Sequence, residues 1–216
     1  LLEEIDKYKN TNYYKYFALA YGNALVYQIS NLRFGPEVGV GKKKVDANVL
    51  EIWREQIAKI CSDIEFVKHI EFANTEVIFS DSRNIKKIIK TRKVSAVITS
   101  PPYPNEKDYT RTTRLESVLL GFISSREELR ILKKTLLRSN TKGVYKGDDD
   151  DDFVKDFPEI QRIAQQIENR RIELGKTSGF EKLYSKVTKL YFGGMAKHLE
   201  ELKSILKPGA QLAYVV

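Results

Sequence analysis

One cysteine, Cys61, and two histidines, His69 and His198, are all the thiol and imidazole in 216 residues. A lone cysteine excludes an internal disulfide framework and fits a reducing cytoplasm. With two histidines it makes no convincing zinc site, so no metal is expected. Cys61 falls on the apolar side of a helical pattern and reads as a core residue. No apolar run approaches the length that crosses a bilayer, and no leader pattern is visible, so a membrane is not an expected partner. What the chain has in excess is positive charge: 37 lysines and arginines against 29 acids, a formal net charge of +8. Five of those acids stand in one run, Asp148 to Asp152, so the remainder is more basic still. Lysine and arginine neutralise phosphates and release counterions, which favours a polyanionic partner. The aspartate run has no metal-ligand spacing and reads as a solvated tip. An apolar fraction of 42% supports a core, and the length suits one domain with a helical insertion.

The periodicity predicts helix over 1–30, over 46–66 (Val49, Leu50, Trp53, Ile57, Ile60, Cys61 and Ile64 at helical spacing), over 109–138 with a break near Gly121 and Ser124, over 158–174, and over 180–206. Lys207-Pro208-Gly209 stops the last of these. Short strands are expected at Glu76–Ser80, Val94–Thr99 and Leu212–Val216. A short basic helix at Ile85–Lys90 between the first two implies a right-handed parallel crossover. Ligands in such sheets bind beyond the carboxyl ends of the strands, where Asp81 and Ser100 would lie. The segment 139–157 reads as a loop. Gly35 to Lys44 (GPEVGVGKKK) is glycine-rich but follows a helix end rather than a strand, and reads as a basic surface loop.

Ser100-Pro101-Pro102-Tyr103 directly follows the apolar run VSAVIT. Two prolines cannot extend a strand ladder or open a helix with normal hydrogen bonding. They stiffen the loop and free the Pro101 carbonyl from ladder pairing. A rigid carbonyl, a hydroxyl beside it and an aromatic face suit the gripping of a planar ring that carries an exocyclic amino group.

TSPPY after an apolar strand resembles the catalytic loop of the S-adenosylmethionine-dependent DNA amino-methyltransferases, whose loops read (D/N/S)PP(Y/F/W). TSPPYPNEKDYTRTTRLESVLLGF resembles a bacterial group of site-specific members in which a D-Y-x-R segment and a Leu-Glu helix follow. IEFANTEVIFSDSRNI is similar to the strand and G-D-S/A-R-like turn before the catalytic strand, with Ser80 where glycine is usual. ISNLRF resembles a serine-asparagine helix end of the same group. LKPGAQLAYVV resembles a helix-to-strand unit of class I methyltransferases. The matching pieces cover about half the chain. The family's F-x-G-x-G-like cofactor loop is missing from it.

The resemblance implies an α/β fold: a class I methyltransferase (Rossmann-like) sheet, partial in 1–216, with large helical insertions. The family's first two strands are expected before residue 1, or after 216 in a permuted layout. The segment 124–180 is the candidate target-recognition or DNA-contact region. Ser100, Pro101, Pro102 and Tyr103 are the implied catalytic residues. Asp81 and Ser82 are the implied cofactor contacts, for S-adenosylmethionine, although Asp81-Ser82-Arg83-Asn84 is equally good helix-capping chemistry. Tyr109 and Arg111 are the implied DNA contacts, or else Asp108 caps a helix whose Arg111, Arg114 and Glu116 are solvated. Double-stranded DNA is the implied partner, with restriction or other defence-system subunits beside it. Cytosine N4 is the favoured target, adenine N6 the alternative. A third reading is a segment that holds DNA or subunits without turnover.

Overall fold

The computed structural model describes residues 1–33, 38–90, 94–104 and 107–215. Part of the glycine-rich expectation, residues 35–37, lies outside the described residues. In chain order the elements are α1 (Leu2–Asp6), α2 (Tyr14–Ala24) with a π-helical turn Leu25–Ile29, β1 (Leu32–Arg33), β2 (Gly39–Val40), α3 (Val49–Val67), α4 (Ile85–Ile88), β3 (Val94–Thr99), α5 (Tyr109–Thr112), α6 (Arg114–Leu119), α7 (Arg126–Lys134), α8 (Pro158–Glu173), α9 (Tyr184–Lys203) and β4 (Leu206–Tyr214). The protein is mixed α/β, with much helix and little sheet. It divides into two compact units, Leu1–Val77 with Thr110–Arg126, and Ile78–Tyr109 with Glu127–Val216.

In the first unit α2 packs on α3. Ala20 and Ala24 of α2 are fully buried. The Trp53 indole N–H donates to the Phe17 carbonyl at 3.1 Å, and the two rings lie edge to face 5.5 Å apart. Asn48 caps α3 by accepting from the Glu51 N–H. No residue of α3 is buried, and Cys61 is exposed rather than in a core. α2 covers that side of α3 only in part: Trp53, Ile57 and Ile60 are half-buried, and Cys61 lies outside the contact. Arg114 and Glu116, expected as solvated charges, are half-buried.

In the second unit β3 pairs with β4 in parallel, Ala96 beside Gln211 and Thr99 beside Tyr214. The register shifts between Val94 and Ala96. Opposite this shift stand Pro208, which has no N–H for a ladder, and Gly209 at φ +78°. So Lys207-Pro208-Gly209 follows the helix as a bulge inside β4, not as a stop before it. Glu76–Ser80 forms no strand, and the expected crossover from it to β3 is absent among the described residues. Val77 and Phe79 are 94% and 87% exposed. Their alternation suits a strand, but a strand exists only as a pairing, and no described residue pairs with them.

The core of this unit sits on α9, where Val187, Leu190, Tyr191 and Leu202 are buried. α8, α4 and the short turns Ser82–Asn84 and Asp150–Val154 pack against it. Gly193 and Gly194 make the last contact feasible. A Cβ at Gly193 would collide with the Asp150 carbonyl, and one at Gly194 would lie 2.7 Å from Leu137. Helix-interior glycine costs about 1 kcal/mol against alanine, so the close approach must offset that. The aspartate run is therefore solvated only in part: Asp150 is buried and Asp148 and Asp151 half-buried, while Asp149 and Asp152 are exposed.

Candidate active site

β3 runs its ladder to its last residue, where the Thr99 carbonyl accepts from the Val215 N–H at 2.9 Å. The next residue, Ser100, donates its hydroxyl hydrogen to the Val215 carbonyl at 3.2 Å. Pro101 is buried, Pro102 half-buried, and Tyr103 is 40% exposed. The Tyr103 N–H donates to the Tyr109 hydroxyl at 3.2 Å, which anchors the far end of the loop.

These residues line a cavity of about 730 Å³ in the second unit, together with Ser80, Ser82, Lys107, Asp108 and the stretch from Thr135 to Asn140. That size is in the range of small-molecule sites. The wall from 135 to 140 is tied to the loop after Tyr103. Lys133 pairs with Asp108 at 2.6 Å. Asn140 donates through Nδ2 to the Lys107 carbonyl at 3.3 Å, while its Oδ1 is buried and has no partner among the described residues. A buried acceptor left unpaired is costly, which makes it a natural place for a ligand donor.

Asp81 faces a neighbouring cavity of about 290 Å³ instead. Its Oδ1 accepts from the Arg83 N–H at 2.9 Å, the capping role, and from Arg83 Nε at 3.0 Å; its Oδ2 accepts from Arg83 Nη2 at 2.8 Å. Arg83 is buried and also pairs with Asp150, and it donates to the Lys134 carbonyl at 3.0 Å. Lys197 approaches Asp150 at 3.5 Å. Burial alone would push the Asp81 carboxyl up, but its hydrogen bonds from Arg83 outweigh that and hold it below its ordinary value. Asp148 repeats the pattern: burial pushes up, and Arg138, bound at 2.8 Å through both nitrogens Nε and Nη2, brings it down. A buried pair of this kind is stable only as a pair, since either partner alone would be an uncompensated charge.

Ser82, Ser100 to Tyr103 and Tyr109 thus share one cavity, Asp81 turns to the next, and the exposed Arg111 belongs to the first unit. Sequence reasoning missed Arg83, Asn140, Asp148, Asp150 and His198. The Gly193-Gly194 pair inside an amphipathic helix was the available signal that another backbone comes close there. Among the described residues no cluster of three histidine, cysteine or acidic side chains is placed to hold a metal. Among them, too, no helix is long and apolar enough to cross a membrane.

Across 155 residues the chain is 29% identical to the Type II methyltransferase M.BsoBI of Geobacillus stearothermophilus, a match that takes in 65% of this chain. It spans only 30% of that relative's length. No family model matches the chain. No solved structure matches it.

Proposed function

We propose that this chain is the base-gripping part of a DNA amino-methyltransferase. It would act on the exocyclic amino group of a base flipped out of double-stranded DNA, with S-adenosylmethionine as the methyl source. Cytosine N4 is the favoured target and adenine N6 the alternative. The distant likeness to a Type II methyltransferase supports the methyltransferase reading. The Ser100 hydroxyl carries the rest: its hydrogen is committed to the Val215 carbonyl, so its lone pairs are left to accept.

The chemistry needs such an acceptor. An exocyclic amino nitrogen delocalises its lone pair into the ring and is a poor nucleophile. Two acceptors on its two hydrogens draw it toward tetrahedral geometry and return the lone pair to nitrogen. In this reading Ser100 Oγ and the Pro101 carbonyl are the two, and Tyr103 stacks on the ring, a contact worth about 1–3 kcal/mol. The base must leave the duplex to reach them. Positioning and electrostatics then supply most of the rate. The cavity suits a ligand rich in hydroxyl and amino donors, since Ser80, Ser82 and the unpaired Asn140 Oδ1 are acceptors in or behind its wall. Ser82 would touch the cofactor directly, and Asp81 would act by fixing the turn that presents Ser82. S-adenosylmethionine, when bound, supplies an electrophilic methyl group. Tyr109 and Arg111 would meet the DNA strand, 124–180 would contribute to target recognition, and the setting would be a restriction–modification or related defence system.

Transfer of radiolabelled methyl to DNA by the full-length protein that carries this chain tests the reading. Ser100→Ala or Tyr103→Ala should each lower transfer by about 10²-fold or more while the circular dichroism spectrum is kept. Near-normal transfer by either would remove the assigned roles. Mass spectrometry of the product nucleosides should give N4-methylcytosine. Methyladenine alone would overturn the cytosine assignment, and cofactor binding without any transfer would favour a non-catalytic segment.

A further inference from the structure

His198 is buried on α9 and both its ring nitrogens are engaged. Nδ1 lies 3.0 Å from the Ser82 carbonyl, and Nε2 lies 2.7 Å from the Tyr214 hydroxyl. A carbonyl can only accept, so Nδ1 must carry the hydrogen. In the neutral ring Nε2 is then an acceptor, and the tyrosine hydroxyl must donate to it. Tyr214 is the last residue of β4 and Val215 follows it. Val215 accepts from Ser100 Oγ and donates to the Thr99 carbonyl. One line of hydrogen bonds and one peptide link therefore join Ser82, His198, Tyr214, Val215 and Ser100.

We propose that His198 is a positioning residue that braces both walls of the cleft. It holds the Ser82 turn through Nδ1–H, and it holds the end of β4, hence the Ser100 hydroxyl, through Tyr214. The inference rests on the methyltransferase reading for its functional consequence but not for its geometry. Ser82 and Ser100 sit on separate segments, 18 positions apart in the chain. A ligand that must be gripped from both sides needs their spacing fixed before it binds, or the ordering cost is charged to binding. A loop of two prolines is stiff in itself but has no means of setting its distance from the Ser82 turn. The imidazole supplies that distance. Burial pushes the Tyr214 hydroxyl pKa up from 10.0, so it remains a donor across the ordinary pH range.

Nitrogen-15 NMR of histidine-labelled protein reads the brace without any turnover. His198 should show a protonated Nδ1 and a bare Nε2. The opposite tautomer, or a fast mixture, would overturn the inference. Tyr214→Phe removes one hydroxyl with little change in packing and leaves Nε2 without its donor. It should shift the tautomer balance, weaken S-adenosylhomocysteine binding about tenfold by calorimetry, and lower kcat by a similar factor. His198→Asn, whose amide can still donate to the Ser82 carbonyl but cannot reach Tyr214, should bind the cofactor more tightly than His198→Leu and about as weakly as Tyr214→Phe. A brace that is merely structural would lower the melting temperature in Tyr214→Phe and leave binding and kcat unchanged. Absence of methyl transfer by the unmodified protein would instead refute the proposed function, and the tautomer measurement would still decide the brace.

Discussion

α3 and α9 are nearly the same length, 19 and 20 residues, and both repeat apolar side chains at helical spacing. α9 buries seven residues and α3 none. Periodicity defines a face on a helix; it does not supply the surface that covers it. α9 has such a surface because Gly193 and Gly194 let the Asp150–Val154 turn sit against its backbone. Among the described residues α3 meets α2 and its π-helical turn along one side, through Trp53 with Phe17 and Gln56 with Gln28, and Ile64 and Phe66 stay exposed.

Matched truncations give the widest separation between the two helices. Leu190 is 0% exposed, and Leu190→Ala should cost about 2–5 kcal/mol in denaturant unfolding. Leu50 is 47% exposed, and Leu50→Ala should cost less than about 1 kcal/mol. Equal losses would mean that α3 is covered by something in solution.

Alanine sharpens the contrast from the opposite direction. It is the better helix former, so at an exposed glycine it would stabilise. At Gly193 its Cβ would meet the Asp150 carbonyl, a backbone atom that cannot swing aside. Gly193→Ala should destabilise by about 1–3 kcal/mol, whereas Lys59→Ala on the exposed side of α3 should stay within about 0.5 kcal/mol. A neutral Gly193→Ala would place the turn farther from α9.

The smallest effect is the response to acid. Asp81 and Asp148 both titrate below their ordinary 3.8 in the folded protein. Folded carboxylates of that kind bind fewer protons than unfolded ones, so their contribution is complete above about pH 4 and is lost as the pH falls through the lower folded values. The melting temperature of the second unit should hold near neutrality and drop below about pH 4, and Asp148→Asn should flatten the drop. The ion pairs of the first unit, such as Lys7 with Glu4, are exposed and should add little to it. A melting curve unchanged down to about pH 2 would count against the buried network.

Much was legible in the residue order alone. Val94–Thr99 is a strand because a short β-branched run ends at two prolines, and the helices over 49–67, 158–173 and 184–203 follow from spacing and from Pro158 at a helix start. The loop Ser100 to Tyr103 is announced by its own chemistry, since Pro-Pro after a strand cannot be hidden in a ladder. Other features required partners distant in sequence. Glu76–Ser80 has strand-like residues but joins no strand ladder among the described residues. Asp148 to Asp152 looks like a charge run until Arg83, Arg138 and Lys197 arrive from elsewhere in the chain. His198 looks like one histidine among helix residues until Ser82 and Tyr214 are brought to its two nitrogens. Local backbone preference and period are properties of neighbouring residues, and sequence determines them. Whether a face is covered, a charge neutralised or a hydroxyl turned toward a cleft depends on groups up to 116 positions apart, as His198 and Ser82 are, and only the tertiary structure decides it.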